Sequence, residues 1–445
     1  MVNEQQMAKI ISDFGKLAIK YEAIPVLLCY VLIALLPFDL FVISLIIILL
    51  SVSALMICDK TRWWLCLKSG WKFYLPLLAF YIYHVIGLGW TSNYHEGFRS
   101  LEYKLSFLVL PLIMALINLD SRTILRLFNV FIIINLVLVI LSFLHFIFID
   151  ITQDEFIILG EKVEGNRVGT RGEYLSKHFL IIDQHRTFYS IQLVISVWFL
   201  LNYIPFLRKM TKKKVIAITS SVFILISGIL VMQSKLSYLL LALTIITSLI
   251  LHFKLIPKSA LISALLVIIA SLLFTNELIT DRFEKMVDEV EYIFSDGDDQ
   301  TKTFATKLRP GSSEIRYMLY KSSLQVISES FLFGHGTGDV RDMLKEQNYK
   351  NGYISIAHLN YGAHSQLLHS SIAFGIIGII LLFSIFLIPL SSEIKKRNYF
   401  TCGVLVIFLI ACIFESYLNS RAGIIPVAFF IPLLSHFQFQ HFNKK

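Results

Sequence analysis

Long apolar stretches recur along the whole chain, and they constrain the fold more than any other feature. Each is about 18–25 residues long, which is the length a helix needs to cross the hydrocarbon core of a bilayer. Of the 445 residues, 56% are hydrophobic and 16% are charged, whereas soluble globular domains are about 45–50% apolar. About twelve stretches meet this criterion, at residues 22–37, 38–57, 72–90, 103–119, 125–149, 187–206, 215–232, 236–252, 258–275, 366–390, 399–415 and 422–437. The sequence therefore predicts an all-α integral membrane protein with about 12 transmembrane helices.

Lysine and arginine in the short loops indicate the orientation of the chain, because such loops are retained on the cytoplasmic side. If both termini are cytoplasmic, all the short basic loops lie on one side, including those at 60–68, 208–214 and 395–397. The net charge of +9 is explained by this bias. No nucleic-acid partner is expected, since the basic loops are not interleaved with exposed aromatic residues.

One polar interval is much longer than the others and lies between the ninth and tenth predicted spans. It predicts three regions: a membrane bundle of helices 1–9 at 1–275, an extracytoplasmic helical loop at 276–365, and helices 10–12 with a cytoplasmic tail at 366–445. This orientation also places 150–185 and 416–421 outside the cytoplasm. The loop holds most of the polar residues that could take part in chemistry.

Within the loop, an amphipathic helix is predicted to carry Arg316 beside its apolar stripe and to end near Ser330. The stripe has helical spacing and consists of Ile315, Met318, Leu319, Ser322 and Val326. The glycines at 334, 336 and 338 then allow backbone angles that are closed to other residues. They predict a sharp turn, because the strand and long helix of a phosphate-binding glycine loop are missing.

Several cations are predicted at the outer mouths of helices: Arg186, Lys235, Arg282, Arg316 and Arg421. Charges at such positions are costly unless a cavity or a partner meets them. Guanidinium and ammonium groups together suit a diphosphate whose lipid tail stays in the bilayer. A neutral imidazole nearby could accept a proton from an attacking hydroxyl, and His364 is the favoured candidate. A capping or packing role for His364, and an anchoring or ion-pair role for Arg99, Glu102 and Lys104, remain alternatives.

No metal site and no cofactor are predicted. The five cysteines lie in predicted spans or on the cytoplasmic side, so disulfides and a cysteine metal site are not expected. The acidic run at 288–299 offers oxygen ligands, but its spacing fits no closed coordination pattern, which favours a solvated loop.

Several motifs, in this order along the chain, resemble the family of O-antigen ligases and polymerases. They are LEYKLSFLVLPLI, HRTFYSIQL, SKLSYLLLAL, EIRYMLYKSSLQVISESFLFGHGTGDV, AHSQLLHSSIAFGIIG and ESYLNSRAGIIPVAFF. The resemblance implies a GT-C type glycosyltransferase in the bacterial inner membrane, with its active site on the periplasmic face. The implied donor is a glycan linked to undecaprenyl diphosphate, and the implied acceptor is a hydroxyl of lipid A-core, attacked with inversion and without a metal. Membrane lipids are the other expected partners.

The resemblance also implies roles for individual residues. Arg186 and Arg316 would hold the donor diphosphate, and His364 would activate the acceptor. Further substrate contacts are assigned to His185, Lys235, Arg282, Arg421 and Tyr189.

This sequence departs from the family pattern twice. Lys235 stands where many members have Ser-Arg, and His364-Ser365 stands where many have His-Asn. Polymerases and protein O-glycosyltransferases share the architecture, so a glycan or protein acceptor stays open. A transporter of lipid-linked glycans is the alternative from another class, and it would show inverted repeats and charges at mid-membrane depth.

Overall fold

A computed structural model of the chain describes residues 23–38, 41–117, 119–151, 155–158, 161–164, 179–204, 210–252 and 312–437. The first part contains α1 (Ala23–Leu35), α2 (Val42–Met56), α3 (Lys60–Ser69), α4 (Trp71–Ile86), α5 (Tyr94–Lys104), α6 (Ser106–Met114) and α7 (Ser121–Ile147). After a small sheet come α8 (Arg186–Leu201), α9 (Lys212–Val231) and α10 (Lys235–His252). The last part contains α11 (Ser312–Glu329), α12 (Val340–Lys350), α13 (Ile354–His358), α14 (Gln366–Lys395), α15 (Tyr399–Phe414) and α16 (Arg421–Ser435).

Five of the described helices are long and apolar enough to cross a membrane. They are α4 with its 3₁₀ extension to Trp90, α7, α9, α10 and α14. Another five apolar helices are shorter, namely α1, α2, α8, α15 and α16. Large apolar side chains on α2, α7 and α10 point outward, as expected for faces in contact with lipid. A helical membrane protein is thereby confirmed, whereas the count of twelve spans stays a prediction; the ninth window, 258–275, lies outside the described residues.

Two parts of the fold differ from the sequence prediction. The stretch 103–119 was predicted as one span, but α5 ends at Lys104 and α6 runs only from Ser106 to Met114. The structure also contains a three-stranded antiparallel sheet, which the predicted all-α fold did not include. Its strands are β1 (Ile149–Ile151), β2 (Glu155–Ile158) and β3 (Glu161–Glu164). Its strands pair Ile149 with Ile158 and Glu155 with Glu164. Isoleucine and valine favour extended backbone in such short segments.

The helices share one large apolar core, to which the outer helices α11 to α13 add two smaller clusters. Within the bundle, α14 packs against α15 and α4, α8 packs against α9 and α10, and α16 packs against α6. The amphipathic stripe of α11 is confirmed, since Met318, Leu319, Ser322 and Val326 are buried. Val326 contacts the cluster that includes Phe374 of α14, so the outer helices rest on a membrane helix.

The helix α14 is broken at Gly375, whose φ of 60° and ψ of −144° are not helical. The glycine turn after α11 fills the break. The N–H groups of His335 and Gly336 donate to the carbonyls of Ile372 and Ala373, each at 2.9 Å, and the N–H of Ile376 donates to the carbonyl of Phe331 at 2.9 Å. A Cβ on Gly375 would lie 2.3 Å from that carbonyl oxygen, which explains the glycine.

Candidate functional site

Glu415 lies where three distant segments meet, just after the end of α15. Its Oε2 accepts a hydrogen bond from Nη2 of Arg316 at 3.0 Å, and its Oε1 lies 3.5 Å from Nδ1 of His364. The Glu415 side chain is only 10% exposed, whereas those of Arg316 and His364 are 40% and 33% exposed. The carboxylate therefore joins α11, the segment before α14 and the end of α15 at one buried point.

His364 is held in place by the backbone around it. Its φ of 50° lies in the left-handed region, which is unusual for a residue with a side chain. The next residue, Ser365, caps α14 by accepting from the N–H of Leu368 at 3.4 Å, and its hydroxyl donates to the carbonyl of Ile413 at 2.7 Å. The N–H of Gln366 donates to the carbonyl of Glu415 at 3.0 Å. The start of α14 is thus bonded to the same segment that carries Glu415.

Arg316 projects from the first turns of α11, next to the buried stripe of that helix. Besides its bond to Glu415, its Nη1 donates to the carbonyl of Phe414 at 3.4 Å. At the start of the same helix, Nζ of Lys235 donates to Oγ of Ser313 at 3.1 Å. Two of the cations predicted at helix mouths, Arg316 of α11 and Lys235 of α10, therefore both lie near the N-terminal end of α11.

The charges of the site stabilise an ionised Glu415. Burial by itself raises the pKa of this carboxyl group, but the hydrogen bond from His364 and the charge of Arg316 outweigh burial, so the pKa is lowered overall. The pKa of His185 is also lowered, mainly because the ring is partly desolvated, while the charge of Glu415 opposes the change. His185 caps α8, since its Nδ1 accepts from the N–H of Thr187 at 3.3 Å. It follows that the neutral form of His185 is favoured.

A cavity of about 550 Å³ opens beside the Glu415 cluster. Residues from α5, α12, the segment before α14 and the turn before α16 line it, and among the predicted site residues His364 and Arg421 belong to this lining. The glycine turn contributes Thr337 and Gly338. Phe188 of α8 also lines the cavity and stacks on Tyr417, with ring centroids 5.1 Å apart. The cavity is large enough for part of a sugar chain or a lipid head group.

Four predicted site residues remain to be placed: His185, Arg186, Tyr189 and Arg282. Arg186 and His185 lie at the start of α8, and the charges of Arg186, Arg316 and Glu415 all act on His185. Neither Arg186 nor Arg316 nor Lys235 lines the cavity formed by the described residues. These three cations are therefore not part of the wall of that cavity.

Tyr189 and Arg282 complete the set. The structure places Tyr189 in the apolar core, where its hydroxyl donates to the carbonyl of Asn135 at 3.3 Å. Arg282 lies outside the described residues, as does the acidic run at 288–299. Among the residues that the structure describes, no group of three or more His, Cys, Asp or Glu side chains is arranged to hold a metal ion.

Sequence reasoning gave Glu415 no role. It also gave Lys104 an anchoring or ion-pair role, whereas Lys104 is 2% exposed, lines the cavity and pairs with no carboxylate of the described residues. Arg341, at the start of α12, lines the cavity as well and was not singled out. The one signal available for Lys104 was its position at the border of a polar helix and an apolar one.

A scan against models of protein families matches residues 220–383 to the O-antigen ligase family. No curated protein matches the chain. The matched region contains Lys235, Arg316 and His364, whereas Glu415 and Lys104 lie outside it. The match confirms the resemblance inferred from the sequence motifs.

Proposed function

Because this match supports assignment of the chain to the O-antigen ligase family, whose members are membrane glycosyltransferases, we propose that the protein transfers a glycan from undecaprenyl diphosphate to a hydroxyl of lipid A-core. The observation that carries the proposal is the convergence of Arg316 and His364 on Glu415 at the wall of the cavity. The reaction would take place on the periplasmic face of the inner membrane, without a metal and with inversion at the anomeric carbon. It belongs to the assembly of lipopolysaccharide.

In the proposed reaction, an acceptor oxygen forms a bond to the anomeric carbon while the bond from that carbon to the diphosphate oxygen breaks. The electron pair of the broken bond leaves with undecaprenyl diphosphate, and the proton of the acceptor hydroxyl passes to His364. Because attack and departure occur on opposite faces of the sugar, the configuration inverts. Charge that develops on the leaving diphosphate is where fixed cations contribute most to the rate.

Arg316 is the cation best placed for the diphosphate. Its guanidinium is held by Glu415 and by the carbonyl of Phe414, yet the side chain remains 40% exposed. Nζ of Lys235 donates to Ser313 at the start of the same helix. The charges of Arg186 and Arg316 both lower the pKa of His185. We assign donor binding to these three residues, with Arg316 as the central one.

His364 is suited to act as the base because Glu415 faces one of its two ring nitrogens. An ionised carboxylate 3.5 Å from Nδ1 favours the tautomer with its proton on that atom. The lone pair then resides on Nε2, which is the atom assigned to accept the proton of the hydroxyl. His364 lines the cavity, so we assign the cavity to the acceptor.

The test compares surface glycans of a deletion strain with those of strains carrying single variants. Loss of all polymer on lipid A-core, with accumulation of lipid-linked polymer, is expected for a ligase. Core that bears one repeat unit would instead identify a polymerase, and an altered glycoprotein profile with normal lipopolysaccharide would identify a protein O-glycosyltransferase. Accumulation of lipid-linked glycan on the cytoplasmic face alone would identify a transporter.

His364→Ala and Arg316→Ala should reproduce the deletion while the protein remains inserted in the membrane. Loss of a general base lowers the rate by about 10²–10⁴-fold. The matched controls are His358→Ala and Lys350→Ala, since His358 is an exposed histidine of α13 and Lys350 pairs with Glu346 on the surface of α12. Full transfer by either site variant would remove its assigned role.

A further inference from the structure

Four lysine and arginine side chains line the cavity, namely Arg99, Lys104, Arg341 and Arg421, and two of them, Lys104 and Arg341, carry the inference. Lys104 is the last residue of α5, and Arg341 lies in the first turn of α12. Nζ of Lys104 donates to Oγ of Ser100 at 2.9 Å and to Oδ1 of Asn419 at 3.3 Å. Both acceptors are neutral, and no carboxylate of the described residues forms an ion pair with Lys104 or Arg341.

Lys104 is the more informative of the two because it is almost completely buried, with 2% exposure. A buried ammonium group without a counter-ion is strongly disfavoured, and burial lowers the pKa of Lys104 to about 7. A methionine of the same length would fill the space without this penalty. The chain thus retains, facing a cavity, a lysine whose charged form is disfavoured by its own burial.

The position of α5 beside the cavity is itself fixed by the outer helices. The N–H groups of Ser92 and Asn93, just before α5, donate to the carboxylate of Asp339 at 2.8 and 2.7 Å. Nδ2 of Asn93 donates to Asp342 at 2.7 Å, and Oδ1 of Asn93 caps α5 by accepting from the N–H of Glu96. Asp339 immediately precedes α12, so the contacts that place Lys104 also place Arg341.

We propose that Lys104 and Arg341 form an anion subsite that binds a phosphate monoester carried by the acceptor. The inference rests on the proposed function, and it adds the chemical class of the acceptor. Two positive charges match the two negative charges of a phosphate monoester, with the ammonium as a point charge and the guanidinium as a planar fork. The phosphate is assigned to the acceptor because His364 lines this cavity, whereas Arg316 and Lys235, assigned to the donor, do not.

The first experiment measures binding without any transfer. The purified full-length protein in detergent is heated in inorganic phosphate and in chloride at equal ionic strength. We expect phosphate to raise the Tm of the wild type in a concentration-dependent way, and we expect Lys104→Met and Arg341→Gln to lose this shift. The surface control Lys350→Gln should keep it.

Folding of the variants is checked in the same measurement. Lys104→Met should have a Tm in chloride at or above that of the wild type, since an apolar side chain replaces a buried charge. Arg341 is exposed, so Arg341→Gln offers a second variant that is not expected to disturb packing. The absence of a phosphate shift in the wild type, or a shift of equal size in Lys104→Met and Arg341→Gln, which would indicate an adventitious ion only, overturns the proposal.

The second experiment locates the phosphate by kinetics. With the phosphorylated acceptor, Lys104→Met should raise the KM for the acceptor about tenfold or more, because each lost charge-assisted bond accounts for about one factor of ten. The KM for the donor should not change. With acceptor treated with phosphatase, the wild type and the variant should have the same KM. A change in the KM for the donor instead would assign the phosphate to the donor and overturn the proposal.

The two proposals fail in different ways. If the protein transfers no glycan to any acceptor but phosphate still raises its Tm through Lys104, the proposed function is wrong and the anion subsite stands. If transfer occurs but Lys104→Met keeps both the phosphate shift and the wild-type KM for the phosphorylated acceptor, the subsite is wrong and the proposed function stands.

Discussion

Two buried glutamates mark opposite ends of the α14–α15 hairpin, and they are satisfied in different ways. Glu393, near the end of α14, is 2% exposed; it accepts from Nζ of Lys396 and from Nδ2 of Asn398, both at 2.7 Å. These partners are three and five residues away along the chain. Glu415, after α15, is bonded instead by Arg316, which is 99 residues away, and by His364.

The difference separates a structural carboxylate from a candidate functional one. Glu393 closes a turn and uses both oxygens within its own loop, so its loss affects the fold. Glu415 uses one oxygen for a cation and the other for an imidazole, at the edge of a cavity. A carboxylate that orders two chemically active side chains from separate segments is expected to matter for rate more than for stability.

The largest expected effect is that of Glu415→Gln on transfer. The amide keeps the shape of the side chain but removes the charge that orients His364 and Arg316. We expect the transfer rate to fall roughly 10²-fold, measured with saturating donor and acceptor, while the protein remains folded in detergent. A rate within twofold of the wild type would show that Glu415 is as structural as Glu393.

Gly375→Ala tests whether the break in α14 supports the cavity end of the hairpin. A Cβ would lie 2.3 Å from the carbonyl oxygen of Phe331, at a φ of 60° that disfavours side chains. We expect a loss of about 2 kcal/mol in the free energy of unfolding, together with reduced transfer because the glycine turn is displaced from the cavity. Gly89→Ala is the control, since nothing lies within 4 Å of its added Cβ. Equal melting of both variants would contradict this account.

Glu393→Gln is the counterpart of the first prediction at the other end of the hairpin. Loss of the buried charge weakens the bond from Lys396, and we expect a decrease of about 1.5 kcal/mol in the free energy of unfolding. The transfer rate per folded molecule should be unchanged. Denaturation in detergent and the transfer assay are read on the same preparation. A fall in rate without a fall in stability would reverse the comparison between the two glutamates.

The smallest expected effect is a pH dependence due to His185, an exposed residue whose ring is only partly desolvated, so that its charge is partly screened. Its pKa is lowered from 6.5 in the folded protein. The neutral ring therefore makes its full contribution to stability above pH 6.5, and this contribution is lost as the pH falls below that value. Protonation also removes the acceptor that caps α8. We expect less than about 1 kcal/mol between pH 7 and 5, with a shallower slope in His185→Asn. Identical slopes would show that another group titrates there.

The sequence allowed much of the architecture to be predicted. Apolar length located the long helices, and helical spacing located the buried stripe of α11 with Arg316 beside it, because both are properties of neighbouring residues. The break at Gly375 and the left-handed His364 could not be predicted, since each depends on a segment distant in sequence. The small sheet was missed because its strands are only three or four residues long.

Residues of the site were predicted unevenly for the same reason. His364 and Arg316 carry rare side chains in local contexts that point to chemistry. Glu415 resembles any carboxylate at a helix mouth until α11 and the start of α14 are brought to it. Lys104 resembles an anchoring lysine, because its burial is created by Asn419 and the outer helices rather than by its own segment.

The hydrogen bonds that cross the break in α14 have a consequence for the order of assembly. The carbonyls of Ile372 and Ala373 are completed by His335 and Gly336, which leave the ribosome before α14 does. A helix that enters lipid with open carbonyls is unstable until they are paired. The helices α11 to α13 must therefore fold before α14 settles in the bilayer or together with it, which makes biogenesis of this protein depend on the folding of the segment that precedes the helix.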